Sequence, residues 1–101
     1  MAGKTPIPVA RSMRVIASNL DLARRQQRIT VDLLAERANL SVPTVRKLLN
    51  NGAGTLENFL RVARILGLLD GVEQATNPLN TGMGRIRAEE DVPKRVRRPA
   101  I

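Results

Sequence analysis

VDLLAERANLSVPTVRKLLN, residues 31–50, is the stretch that decides the fold. Its apolar side chains recur at helical spacing in two runs, so it predicts two short helices, each with one apolar face. These side chains are Leu34, Ala35 and Ala38 in the first run and Val45, Leu48 and Leu49 in the second. Asn39 separates the runs where the chain must turn through a left-handed residue, a conformation that glycine adopts most readily and asparagine next.

The corner between the two predicted helices contains residues that suit it. Ala35 supplies the small side chain that two helices crossing at about 90–120° need where their backbones approach, and Leu40 fills the corner. Ser41 is expected to cap the second helix by accepting a hydrogen bond from an amide of its first turn. Pro43 falls inside that turn, where its missing N–H costs little.

This pattern resembles the helix-turn-helix of the Cro/repressor (XRE) family of bacterial and phage DNA-binding proteins. The likeness extends from about Leu20 to Leu69. The residues that carry it are Leu34, Ala35, Ala38, Leu40, Ser41, Thr44, Val45 and Leu48. The resemblance implies an all-α fold, a compact lambda-repressor-like bundle of about five helices, in which the second motif helix enters the major groove of DNA.

Three positions depart from the family pattern. Asn39 stands where the family usually has glycine in the turn, and Arg28 replaces the common glycine before the first motif helix. Both replacements are tolerable for the backbone. Val31 replaces a frequent glutamine that touches a DNA phosphate, so the resemblance does not supply that contact.

Length and composition limit the possible functions. A chain of 101 residues is expected to form one domain with a single modest core. It contains no cysteine and no histidine, which removes the thiolate nucleophile, the commonest general base and the commonest metal ligand. Its nine acidic residues are scattered. We therefore predict no enzyme, no catalytic or metal site and no cofactor.

The charge balance favours a polyanionic partner. The chain carries 17 basic and nine acidic residues, a net charge of +8. Such an excess most often indicates nucleic acid, and a basic but merely solvated surface is the alternative. No apolar run approaches the roughly 20 residues of a membrane span, and the N-terminus lacks a signal-peptide pattern. We expect a cytoplasmic, nucleoid-associated protein without membrane contact.

Composition divides the chain into three segments. Pro6 and Pro8 resist helix formation, so residues 1–9 are expected to be a flexible, extended arm. Residues 10–75 form the predicted DNA-binding domain. From residue 76 apolar residues become sparse, and six basic against three acidic residues give residues 76–101 a net charge of +3. This last segment is expected to be a flexible basic tail that adds non-specific affinity for DNA.

Periodicity predicts further helices around the motif. The first is expected over about Ala10–Gln27, with Ile16, Leu20 and Ala23 facing inward. A later helix over about Leu56–Gly67 has an apolar face wide enough for burial on two sides. That face is formed by Leu56, Phe59, Leu60, Ala63 and Leu66. A short final helix is expected to begin at about residue 68.

The second motif helix, about Val42–Asn50, is the candidate recognition helix. Its outer face carries Arg46 and Lys47, the best candidates for guanine or phosphate contacts, and an ordinary solvated face is the alternative. Thr30 is expected to cap the first motif helix. The backbone amides at the start of that helix form a natural phosphate site. The predicted DNA-contact residues are Arg28, Thr30, Ser41, Val42, Pro43, Thr44, Arg46, Lys47 and Asn50.

Arg24, Arg25 and Arg28 form a basic cluster at the end of the first predicted helix. Asp21 and Arg25 are four residues apart and can form an ion pair on the helix surface. The cluster either stabilises the negative end of the helix or contacts the DNA backbone. The sequence does not decide between these two roles.

The resemblance also implies a homodimer. In this family the segment that contains Leu68, Leu69 and Val72 often forms the dimer contact, and a plain intramolecular core is the alternative. A dimer with twofold symmetry would bind double-stranded DNA at a pseudopalindromic operator. Its half-sites would be about one helical turn, or a small multiple of it, apart.

The first hypothesis for function is a sequence-specific transcriptional repressor. The layout looks most like the HipB-type antitoxins, small XRE proteins that are encoded beside a HipA-like kinase toxin, bind it and repress their own promoter. The residues behind this likeness are PTVRKLL at 43–49, RVARILGLLD at 61–70 and NPLNTGMGRIRAEEDVPKRVRR at 77–98. A phage Cro-like repressor normally lacks such a tail. A helical module that binds an acidic protein without a DNA role would also explain the basic charge, and so would a basic RNA-binding protein.

Overall fold

The computed structural model describes residues 3–88, 90 and 92–96, and within them all regular secondary structure is helical. These elements are α1 (Ile7–Gln26), α2 (Val31–Ala38), α3 (Val42–Asn51), α4 (Leu56–Ile65), α5 (Leu69–Thr76), a 3-10 helix (Pro78–Asn80) and α6 (Gly82–Arg87). The predicted all-α class is confirmed. The chain forms two units, residues 1–69 and residues 70–101, of which the first contains the motif stretch.

Helix α1 begins earlier than the sequence predicts. Residues 7–9 belong to the predicted extended arm, yet the helix starts at Ile7, with Pro6 as its N-cap and Pro8 in its first turn. Proline is tolerated there because the first amides of a helix have no intrahelical acceptor and because its ring fixes φ near the helical value. The two prolines therefore start α1 instead of preventing it. Residues 1–2 lie outside the described residues.

The core of the first unit is centred on the motif stretch. Its buried residues are Ala17, Leu20, Ile29, Leu34, Ala35, Ala38, Val45, Leu48, Leu49, Val62, Ala63 and Leu66. Half of them are the six apolar residues of 31–50 from which the two helices were predicted. Among the described residues, no charged or polar residue is buried in this core.

Two residues predicted to face the core are largely exposed. Ile16 is 43% exposed, and its neighbour Ala17, at 1%, takes the buried position. One residue turns a helical side chain by about 100°, so the inward face of α1 runs along Ala17 and Leu20. Leu56 is 70% exposed because it opens the first turn of α4, ahead of the buried pair Val62 and Ala63.

The corner between α2 and α3 has the predicted backbone. Asn39 is left-handed, with φ 56° and ψ 48°, and ends α2. The Ser41 hydroxyl accepts a hydrogen bond from the Thr44 amide at 3.3 Å and caps α3. At the start of α2, the Thr30 hydroxyl accepts one from the Leu33 amide at 3.1 Å. Two capped helices joined by a three-residue turn follow directly from these local preferences.

The predicted flexible tail contains two short helical elements. Asn77 caps the 3-10 helix, and Thr81 caps α6 by accepting a hydrogen bond from the Gly84 amide at 2.9 Å. Every described residue from 77 to 96 except Gly84 is exposed, so the segment has no core of its own, as predicted. Its flexibility stays a prediction, and residues 89, 91 and 97–101 lie outside the described part of the chain.

Candidate nucleic-acid interface

Helix α3 has a buried apolar face and a cationic outer edge. Val45, Leu48 and Leu49 are only 0, 2 and 7% exposed, whereas Arg46 and Lys47, which alternate with them along the chain, are exposed. The core therefore fixes how α3 is rotated about its own axis, and that rotation presents both cations to solvent. A helix of this diameter fits the major groove of B-DNA.

The two cations on this edge are available to an outside partner. Within the described residues, ion pairs join Arg24 and Arg25 to Asp21, and Arg61 to Glu57, but none involves Arg46 or Lys47. A solvated cation that has no intramolecular carboxylate partner can direct its N–H donors to a phosphate or to the N7 and O6 acceptors of guanine.

The other candidates on α3 are less uniformly exposed than predicted. Pro43 and Asn50 are exposed, as expected, but Val42 and Thr44 are half-buried. Val42 packs against the core cluster because helical side chains lean toward the N-terminus, which carries a first-turn residue over the corner. Val42 is therefore only partly exposed, and its contact with DNA stays a prediction.

The Ser41 and Thr44 hydroxyls form a pair at the N-terminus of α3. Their oxygens are 2.7 Å apart, and Ser41 Oγ also accepts the Thr44 amide at 3.3 Å. If Thr44 donates to Ser41, the Ser41 hydroxyl hydrogen stays free, because each hydroxyl has one hydrogen and two lone pairs. One donor is then available to a phosphate or a base, and Ser41, which is exposed, is the residue placed to offer it.

The start of α2 forms a second polar edge. Thr30 and Arg28 are both exposed, and Arg28 has a left-handed backbone with φ 57°. The first amides of a helix have no intrahelical acceptor, so the N-terminus of α2 attracts an anion. Val31 and Leu33 are half-buried against the core instead of facing this edge.

Arg24 has a structural role that the sequence did not reveal. The sequence predicts it in a basic cluster at the end of the first helix, but its side chain is only 17% exposed and pairs with Asp21 at 2.8 Å. It also donates to the Ile29 carbonyl oxygen at 2.8 Å, which ties the end of α1 to the turn before α2. Arg25 also pairs with Asp21, as predicted, but stays 61% exposed. The predicted basic cluster is therefore divided, and Arg24 is largely withdrawn from solvent.

Gln27 is another positioning residue without a clear sequence signal. Its amide nitrogen donates to the Leu66 carbonyl oxygen at 2.9 Å, so the end of α1 is tied to the end of α4 across 39 positions of sequence. Periodicity cannot identify such a bond, because it depends on a tertiary approach. The salt bridge of Arg24, by contrast, could have been predicted from its three-residue spacing to Asp21.

The predicted dimer residues differ in exposure. Leu68 is 36% exposed, and Leu69 and Val72 are half-buried. A dimer contact at these residues stays a prediction.

Two further observations concern other classes of site. Within the described ranges, no group of three or more His, Cys, Asp or Glu side chains could hold a metal ion. No helix of that part of the chain is long and apolar enough to cross a bilayer.

Comparisons with protein-family models, with curated proteins and with solved structures find no match for this chain.

Proposed function

We propose that this protein is a sequence-specific DNA-binding repressor in which α2 and α3 form a helix-turn-helix and α3 reads the major groove. The observation that carries the proposal is the outer edge of α3. Arg46 and Lys47 are exposed there and free of the described ion pairs, while the opposite face of the same helix is buried. Such an edge can enter a groove without disturbing the core.

The backbone at two positions supports the family resemblance. The chain carries Arg28 and Asn39 where the Cro/repressor family usually has glycine. These are the two non-glycine residues with positive φ in the described part of the chain, at 57° and 56°. Glycine is preferred where φ is positive. The left-handed Asn39 is the turn that the sequence predicts, and the positive φ of Arg28 is a further agreement with the family pattern.

The polar groups around the outer edge of α3 suit two kinds of DNA contact, one with phosphates and one with base edges. In this proposal Thr30, Arg28 and the amides that start α2 would hold a phosphate, a contact that fixes orientation without reading sequence. Arg46 and Lys47 would then contact base edges or the adjoining phosphates, and Asn50 extends the exposed edge toward the end of α3. Pro43 has no N–H, so it would contribute shape only.

The proposed active form is a homodimer that occupies its own promoter, most like a HipB-type antitoxin that also binds a HipA-like kinase toxin. Twofold symmetry calls for a pseudopalindromic operator. The tail sequence at 77–98 favours an antitoxin over a phage Cro-like repressor. The coding region next to the gene separates the two: a kinase-like product favours the antitoxin.

A titration of labelled DNA duplexes tests the proposal. The protein is mixed with a duplex from its own upstream region and with a scrambled duplex of equal length, at low and at moderate salt. We expect the affinity to fall about tenfold or more between the two salts while the preference for the upstream duplex is kept. Equal binding to both duplexes, or no binding, would contradict specific readout and would favour a protein-interaction or RNA-binding module.

A further inference from the structure

The turn between α1 and α2 is closed twice by the same pair of residues. The Ile29 amide donates to the Arg24 carbonyl oxygen at 3.1 Å, and the Arg24 guanidinium donates back to the Ile29 carbonyl oxygen at 2.8 Å. Inside this ring, the Arg28 amide donates to the Arg25 carbonyl oxygen at 3.0 Å. The two backbone bonds form a Schellman motif, a helix ending in which one residue is left-handed. That residue is Arg28, with φ 57°.

Arg24 makes a polar contact where this motif usually has an apolar one. A hydrophobic contact between the two positions that Arg24 and Ile29 occupy often accompanies a Schellman motif. Here the Ile29 side chain is buried in the core, and the Arg24 side chain bonds to the Ile29 carbonyl oxygen instead. We call Asp21, Arg24 and Ile29 the clamp.

Arginine suits the clamp because its donors lie in a fixed planar fork. Nε and Nη2 of Arg24 donate to Asp21 Oδ1 at 3.0 and 2.8 Å, and Nη1 donates to Ile29. The Asp21 carboxylate therefore fixes the guanidinium in the orientation that reaches the turn. The Arg24 side chain is only 17% exposed, so water competes little for these bonds.

Both chain neighbours of Arg28 are held, whereas the Arg28 side chain is not. Ile29 belongs to the clamp, and the Gln27 side chain donates to the Leu66 carbonyl oxygen at 2.9 Å. Arg28 itself is exposed and takes part in no ion pair among the described residues. A cation on a backbone that is already fixed loses no backbone freedom when it binds a phosphate, so more of the contact appears as affinity.

We propose that Arg24 is a positioning residue for DNA binding. The clamp holds the backbone at Arg28 so that the Arg28 guanidinium meets a phosphate, and Arg24 does not touch DNA. This rests on the proposed function, in which Arg28 contacts a phosphate. It also separates the roles within the predicted basic cluster: Arg28 contacts DNA, Arg24 positions it, and Arg25 lies outside the clamp.

A double-mutant cycle tests the positioning role. Arg24→Lys keeps the positive charge but gathers the donors on one nitrogen, so it cannot reproduce the bonds of the clamp. Arg25→Lys is the matched control, because Arg25 pairs with the other oxygen of Asp21 at 3.1 Å without reaching the turn. Each substitution is made in the wild type and in an Arg28→Ala background. Affinity is measured for the upstream and the scrambled duplex, well below the melting temperature of every variant, so that lost stability alone leaves it unchanged.

We expect Arg24→Lys to weaken binding to both duplexes by a similar factor, roughly threefold or more, since a phosphate contact carries no sequence information. When Arg28 is already alanine, the same change should alter affinity by less than about twofold, because no guanidinium is left to position. Arg25→Lys should alter affinity by less than about twofold in both backgrounds.

Gln27→Ala is a second variant, which releases the other neighbour of Arg28 without changing the charge. Its control is Gln26→Ala, at the exposed last residue of α1. Gln27→Ala should weaken binding in the wild type and have little effect after Arg28→Ala, and Gln26→Ala should have little effect in either.

Amide hydrogen exchange measures the clamp without DNA. In Arg24→Lys the amides of Arg28 and Ile29 should exchange faster than in the wild type, and in Arg25→Lys they should not. Unaltered exchange in Arg24→Lys would show that the clamp does not hold the turn and would overturn the proposal.

The binding data separate this proposal from the proposed function. A wild type that binds no duplex would contradict the repressor, and the positioning role would fall with it. A wild type that prefers the upstream duplex would sustain the repressor. In that case, no loss of affinity in Arg24→Lys, or the same loss with and without Arg28, would overturn the positioning role alone.

Discussion

Replacing Arg28 by glycine should stabilise the fold and weaken DNA binding at the same time. Arg28 has φ 57°, and a left-handed backbone costs an L-residue with a side chain roughly 1–2 kcal/mol. Glycine avoids that cost but loses roughly 0.4–1 kcal/mol through the greater freedom of the unfolded chain. The local bonds are kept, because the Arg28 amide donates to the Arg25 carbonyl oxygen at 3.0 Å through backbone atoms only.

The comparison that isolates the backbone is Arg28→Gly against Arg28→Ala. Both variants lose the same exposed charge, but only alanine keeps a Cβ in the left-handed conformation. We expect the glycine variant to be about 1 kcal/mol more stable than the alanine variant. For a domain of this size that corresponds to a melting temperature roughly 4–8 °C higher. Chemical denaturation followed by circular dichroism measures the free energy directly.

DNA binding supplies the second half of this prediction. If the Arg28 guanidinium holds a phosphate, both variants should bind every duplex more weakly by a similar factor, and the slope of log K against log salt should become about one unit shallower. An alanine variant as stable as the glycine variant would refute the strained backbone at residue 28. An unchanged salt slope in both variants would refute the phosphate contact.

Three other substitutions test the packing. Ala35 is 3% exposed at the crossing of α2 and α3, so Ala35→Leu overpacks the crossing and should lower the free energy of unfolding by roughly 1–3 kcal/mol in urea denaturation. An unchanged free energy of unfolding would mean that the two helices do not meet there. Gly52→Ala should lower the free energy of unfolding by at least as much, since Gly52 has φ +71° and an added Cβ would lie 2.5 Å from the Met13 carbonyl oxygen. A variant with the wild-type melting temperature would contradict this close contact between Gly52 and Met13. Gly84→Ala should disrupt only the tail helices, because its Cβ would meet the Pro78 carbonyl group. Amide hydrogen exchange should then speed up in residues 79–87 and not in α1–α4, and an unaltered exchange pattern would exclude this packing.

Local chemistry made the motif predictable from the sequence. The apolar spacing of residues 31–50, the left-handed Asn39 and the caps at Thr30 and Ser41 each depend on neighbours within a few positions, and the structure has all of them. The buried faces of α2 and α3 follow for the same reason, since a helix with one apolar face has one way to bury it.

Tertiary approach explains what the sequence did not reveal. Ala17, and not Ile16, is buried because of the way α1 packs on α3. The hydrogen bond from the Gln27 side chain to the Leu66 carbonyl oxygen depends on where the ends of α1 and α4 meet. The start of α1 at Ile7 has a different explanation. Proline breaks a helix in its interior but is accepted in the first turn, so the effect of Pro6 and Pro8 depends on their position in the helix.

The central claim is that the outer edge of α3 contacts DNA bases. The most direct test is a titration of Arg46→Ala and Lys47→Ala against the upstream duplex and its scrambled counterpart. The control is Arg37→Ala, which removes another exposed charge, from the last turn of α2. A lost base contact should reduce affinity for the upstream duplex by roughly 5- to 150-fold and relax its preference over the scrambled duplex, while the melting temperature stays nearly unchanged. The control should lose little affinity and none of the preference. If neither α3 variant alters the preference, or if either loses much of its helicity, the edge of α3 is not the surface that reads DNA.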